Sequence, residues 1–220
     1  MGANESQSQM TQEIVNNSEF QKYLKQICYK VPKSGINKNY FDNILGNLNQ
    51  FKIISIASTP LGDRLFDVLN AKNQDKVTSE VLYYFLTQLY SNKESRCEYT
   101  FQAYCLEGKR IQKYVIEKNF IAMVVDSWER AFAALVEKFP ENKRKEDGDL
   151  IENWSKSQEL KEKVKIAAQA CFKNLSKSLN NQADYQVFKS WILSENQDKI
   201  VAKYEGYTVV VPLTLYKFIK

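Results

Sequence analysis

Leu65-Phe66-Asp67-Val68-Leu69-Asn70-Ala71-Lys72-Asn73-Gln74-Asp75-Lys76-Val77-Thr78-Ser79-Glu80-Val81 reads as an EF-hand loop with its two flanking helices. A second unit is expected around Phe101-Gln102-Ala103-Tyr104-Cys105-Leu106-Glu107-Gly108-Lys109-Arg110-Ile111. From Leu65 to Phe120 the chain thus reads as two EF-hands side by side with the calcium chemistry removed. A calcium loop needs oxygen ligands at positions 1, 3, 5, 7 and 9, Gly at 6, and a bidentate Glu at 12. Setting Val77 at the apolar position 8 puts Asn70 at 1, Lys72 at 3, Gln74 at 5, Asp75 at 6 and Val81 at 12. Lys72 places a cation where a cation should bind, and Val81 deletes the strongest ligand. In the second unit Gly108 lies one residue too far from Ile111, and Tyr104 or Cys105 stands where the first Asp belongs. Glu107 is the only carboxylate there. No calcium switch, metal site or cofactor is therefore expected. Two ordinary helical hairpins that only resemble EF-hands are the plainer alternative, and they would be equally unable to hold the ion.

Periodicity outside this region also predicts helices. The expected spans are Ser8 to Tyr29, Asn39 to Leu48, Leu61 to Leu69 behind the Thr59-Pro60 start, an exit helix to Tyr90 capped by Thr78 or Ser79, and Lys93 to Tyr104. Phe51 to Ile56 is a strand or a helix end. Ile111 to Phe139 reads as a long core helix broken near Asn119, and Ser157 to Leu179 as an amphipathic helix with Ala183 to Leu193 behind it. Pro140 to Asp149 is charged, carries Pro and Gly, and has no apolar residue, which marks a linker. The organisation expected is a flexible segment 1–18, a degenerate EF-hand-like domain 19–139, a linker 140–150, and a helical module 151–220. The fold class is mainly α: a degenerate paired EF-hand domain followed by a smaller helical C-terminal module.

Composition excludes several function classes. With 44% hydrophobic and 13% aromatic residues, the 220-residue chain can bury a sizeable core. The net charge of +5 comes from 31 basic and 26 acidic residues, well interspersed, and only Lys143-Arg144-Lys145 clusters. Nucleic-acid binders concentrate their basic residues, so nucleic acid is not an expected partner. There is no histidine, which removes the commonest general base and most zinc sites. Cys28, Cys97, Cys105 and Cys171 form no Cys-x-x-Cys pair and read as small buried hydrophobes in a reducing compartment. No signal peptide and no run long enough to span a membrane is read. The carboxylate pairs Asp126/Glu129 and Glu159/Glu162 sit three residues apart on helices and read as solvated faces. With no phosphate loop and no nucleophile elbow, the chain is not expected to be an enzyme.

Met1-Gly2-Ala3-Asn4-Glu5-Ser6 fits the N-myristoylation pattern, with Gly2 as the acceptor. A polar start is the alternative. A single myristoyl chain anchors marginally and needs a second signal, and Gln7 to Asn17 contain no basic cluster to supply one.

Met1-Gly2, Thr78-Ser79-Glu80 with Leu86-Thr87-Gln88-Leu89, Gly108-Lys109-Arg110-Ile111-Gln112-Lys113-Tyr114, Ala167-Ala168-Gln169-Ala170 and Val187-Phe188-Lys189-Ser190-Trp191 carry a family resemblance. On these residues the chain resembles the helical N-terminal half of TLDc-domain proteins. That resemblance implies association with lysosomal or vacuolar membranes or their proton pump. It departs from the family in stopping at Lys220, where the TLDc sandwich is expected to begin. More distantly the chain is similar to calcineurin-B-like and neuronal-calcium-sensor proteins, which share the myristoylatable start and paired hands. It departs from them at nearly every calcium ligand.

An EF-hand without ligands keeps its helix-loop-helix surface for gripping a partner. The expected role is a non-catalytic adaptor or structural subunit, whose partners are other proteins in a multi-subunit assembly. Tyr83, Tyr84, Tyr90, Tyr207 and Tyr216 are the expected interaction surface, with a peripheral membrane contact through Gly2 as the alternative. The location expected is cytoplasmic, with membrane, cytoskeletal or ciliary attachment as variants.

Overall fold

The computed structural model describes residues 18–48, 56–73, 76–138, 153, 157–176, 181–193, 201–204 and 207–210. The expected linker at 140–150, the N-terminal segment with Gly2, most of the Phe51–Ile56 run, and Tyr216 lie outside the described residues. The described chain is mostly helical, as its periodicity predicts.

Residues 18–113 make the first of two compact units. Its helices are α1 (Ser18–Tyr29), α2 (Lys38–Asn47), α3 (Pro60–Lys72), α4 (Ser79–Ser91) and α5 (Lys93–Cys105). Side-chain oxygens start α2 through α5: Asn37 accepts from the Tyr40 amide, Thr59 from Gly62, Thr78 from Val81 and Asn92 from Glu94. Each cap satisfies an amide that the helix itself leaves open. Pro60 follows Thr59 at the first helical turn, where its missing N–H costs nothing.

The apolar stripes of these helices meet in an aromatic core. The Phe41 ring lies 5.4 Å from Phe66 and 6.0 Å from Phe85, and Phe85 meets the edge of Tyr99 at 4.8 Å. α3 packs on α5, and α1 on α4. The Ser79 hydroxyl donates to the Cys28 carbonyl at 2.7 Å, and Tyr83 donates to Gln21 Oε1 at 3.0 Å, so α1 and α4 are also tied by polar contacts. After α5 a tight antiparallel hairpin, β1 (Leu106–Glu107) and β2 (Arg110–Ile111), turns through Gly108 at φ +57.

The second unit, residues 114–213, contains β3 (Val115–Ile116), α6 (Glu117–Lys138), α7 (Gln158–Leu175), β4 (Gln182–Ala183), α8 (Tyr185–Leu193) and the strands β5 (Val201–Tyr204) and β6 (Tyr207–Val210). β5 and β6 pair as an antiparallel hairpin, and β5 lies against α7. Phe120, Met123, Val124 and Trp128 of α6 are buried with Leu160, Val164, Ala168 and Phe172 of α7. Phe120 lies 5.4 Å from Phe172 and 5.8 Å from Trp191 of α8. Two expectations are corrected here. Residues 111–116 are strand and turn rather than helix, because Ile111 and Val115 are each taken by a strand partner. The helix that follows runs unbroken through Asn119, which is buried in it.

Candidate functional site

The strand pairing identifies the loops. Val115 of β3 pairs with Ala183 of β4, and Ile116 with Gln182. Each of these short strands leads straight into a helix, α6 after β3 and α8 after β4. That is the arrangement in which two EF-hand loops bridge at their apolar eighth positions. The second of the two units expected from the sequence is therefore centred on Val115, not on Ile111 as the sequence spacing predicts. Gly108 drew the expected frame four residues early because it is a real turn glycine, but it turns the β1–β2 hairpin.

Counting by the same frame finds four loops, with Ile36, Val77, Val115 and Ala183 at the bridging position. Just after it stand Asn37, Thr78, Ile116 and Asp184. Three of those four are N-caps whose side-chain oxygen accepts from the amide three residues on, at 2.9 Å for Asn37, 3.5 Å for Thr78 and 2.9 Å for Asp184. Loops one and two also touch, the seventh position of one against the eighth of the other. A Cβ added at Gly35, which has φ +92, would lie 3.3 Å from the Val77 carbonyl oxygen. Sequence reading missed the first and fourth hands. Their legible signal is an apolar residue followed by a capping residue (Ile36-Asn37, Ala183-Asp184) at a helix start. A residue at positive φ sits just before each, Gly35 and Asn181.

With the frame fixed, the donor set can be judged for calcium, the ion the EF-hand fold implies. The first ligand positions are Tyr29, Asn70, Gly108 and Ser176, and the twelfth are Tyr40, Val81, Asn119 and Val187. None is a carboxylate, whereas a calcium loop relies on an acidic first residue and a bidentate twelfth Glu. Lys72, at the third position of loop two, holds its ammonium 5.0 Å from the centroid of the Tyr99 ring. Burial lowers the Lys72 pKa, with Glu98 pulling the other way. These residues do not fit a calcium ion. Among the described residues no three His, Cys, Asp or Glu side chains come together as a metal-holding group.

The other expected residues sort by position. Tyr84 is 63% exposed on α4, close to Tyr99, whose hydroxyl pKa is raised first by burial and then by Tyr84 and Glu98. Tyr83 is half-buried and bonded to Gln21. Tyr90 is a correction: it is 2% exposed, edge-on to Phe20 at 6.3 Å, and burial drives its hydroxyl pKa well up. It falls on the same helical stripe as Leu82, Leu86 and Leu89, so it belongs to the core and not to an interaction surface. Tyr207 opens β6 and pairs with Tyr204. The carboxylate pairs are taken up by lysines: Glu129 by Lys161, Glu159 by Lys163 at 2.7 Å, and Glu162 by Lys165 at 3.4 Å. All four cysteines are free and buried.

A Recoverin family protein of Dictyostelium discoideum is 26% identical to this chain over 197 residues, covering 88% of the chain and 82% of that relative. No family model matches the chain, and no solved structure matches it. The likeness agrees with the EF-hand-like helical fold and lies with the calcium-sensor side of the resemblances read from sequence. It says nothing of a TLDc domain. Among the described residues no helix is long and apolar enough to cross a membrane.

Proposed function

We propose that this chain is a non-catalytic, calcium-independent adaptor that docks on a larger protein assembly through its EF-hand-like helical surface. The observation that carries the reading is the contrast within the loops. Features that shape a hand are kept, namely the bridging apolar residues, the helix caps and the Gly35 close approach. Features that serve only the ion are gone at both ends of all four loops.

The patch best suited to docking is Tyr84 with Tyr99 and Lys72. It combines exposed aromatic area with a cation, a composition favoured where proteins meet. Capture from native extract tests this, using the full chain and its Tyr84→Ala variant, each in calcium and in chelator. The same partners should be recovered with and without calcium, and Tyr84→Ala should lose them. Partners that appear only in calcium, or a chain recovered alone as a monodisperse monomer, would count against the reading. Addition of calcium should likewise leave the melting temperature unchanged. A rise would show an ion bound to the native state.

A further inference from the structure

Arg96 is only 6% exposed, on the side of α5 that carries the buried Thr100 one turn further on. Arginine stays protonated in a folded protein, so a full positive charge is carried into the first unit. Such a charge is costly unless an anion or a set of acceptors receives it. Arg64 shows the ordinary solution, with one Nη donating to the Leu106 carbonyl at 2.9 Å. Arg96 has no such arrangement. Its buried Nε lacks a hydrogen-bond partner, and among the described residues no ion pair involves it. Burial lowers its pKa, and the opposing influence is the Tyr90 phenol on α4 rather than a carboxylate. The Thr100 hydroxyl, fully buried, also has no hydrogen-bond partner. Arg96 is moreover the fourth residue of α5, close to the positive end of the helix, where an anion is favoured and a cation is not.

We infer that Arg96 and Thr100, beside Tyr90, form a buried receptor for a single carboxylate group. The edge of a guanidinium takes both oxygens of a carboxylate side by side, and a hydroxyl supplies a further donor. Charge selects the carboxylate over a phosphate. A carboxylate brings one negative charge to one buried cation, whereas a phosphate brings about two and leaves the excess buried. A small free acid and an acidic side chain of a docked protein both offer this group. The inference does not depend on the docking reading, because a free acid fills the site without a partner.

Thermal melts of the full chain test it, in sodium chloride and with acetate, acetamide or inorganic phosphate added at equal ionic strength. Acetate should raise the melting temperature by about 2 °C or more over chloride, because it binds the native state alone. Acetamide and phosphate should not. Arg96→Met removes the buried charge, so it should melt at or above the wild type in chloride and ignore acetate. Thr100→Val removes a hydroxyl that has no partner, so it should fold as well as the wild type and show a smaller acetate shift. A blocked tripeptide with Glu at its centre, set against its Gln counterpart, separates the two sources. A shift with acetate alone assigns the site to a free acid, and a shift with both admits an acidic side chain. No acetate shift, or a shift of the same size in either variant, overturns the inference.

Discussion

Gly35 offers the sharpest test of the four-loop frame, because the frame makes it a point of contact between hands. Its φ of +92 lies outside even the left-handed well, and an added Cβ would press on the Val77 carbonyl oxygen at 3.3 Å. Gly108 is the matched control, with φ +57 and nothing within 4 Å of an added Cβ. Alanine at Gly108 costs about 1 kcal/mol of left-handed strain. Alanine at Gly35 costs about 2–3 kcal/mol, since strain of this kind runs to that size and the neighbouring backbone must also give way. Both variants recover about 0.5 kcal/mol from a stiffer unfolded chain. The net losses are then about 0.5 kcal/mol at Gly108 and about 2 kcal/mol at Gly35. Urea titration followed by circular dichroism reads the difference as a lower midpoint at unchanged slope. Equal losses at the two sites, or a smaller loss at Gly35, would refute the contact between loops one and two.

Other consequences are as direct. Tyr90→Ala should cost about 3–5 kcal/mol because it empties a core site, whereas Tyr84→Ala should stay within about 0.5 kcal/mol; thermal melts of the two variants decide whether Tyr90 is core or surface. Asp184→Ala removes the cap of α8 and should cost about 1 kcal/mol, while Asp184→Asn retains most of it in the same assay. Burial pushes the Cys28 thiol up to about 11 and Cys105 up to about 12. Unfolded thiols titrate near about 8.5, so above that pH the unfolded chain loses protons that the native state keeps. The native state is favoured fully below this range and loses ground as pH rises through it, by up to about 1.4 kcal/mol per pH unit per thiol. In reductant, the urea midpoint should drop between about pH 8 and about pH 10, and Cys28→Ala/Cys105→Ala should drop less. An identical drop in the double variant would show that the thiols are not the cause.

Local features of the fold were legible in the sequence, and distant pairings were not. Loop two is legible in the sequence because Val77, Thr78 and the Thr59-Pro60 start are all short-range signals. The helix spans at Lys38–Asn47, Ser79–Ser91 and Lys93–Cys105 follow from periodicity alone. Val115 could not be recognised as a bridging residue from its own neighbourhood, because its partner Ala183 lies beyond two helices. Tyr90 reads as surface by residue type alone, whereas its register with Leu82 and Leu86 places it inside.

The ammonium of Lys72 beside Tyr99 has a consequence for how such a protein can be controlled. A metal ion occupies its loop in proportion to its supply, and the stability it lends rises and falls with concentration. A side-chain cation is delivered once, by the ribosome, and its local concentration never changes. Lys72 thus puts a permanent positive charge at the third position of loop two, where a calcium loop needs an oxygen. On the proposed reading, this protein's output is adjusted by how much of it is made or by what it meets, not by a signal carried by an ion.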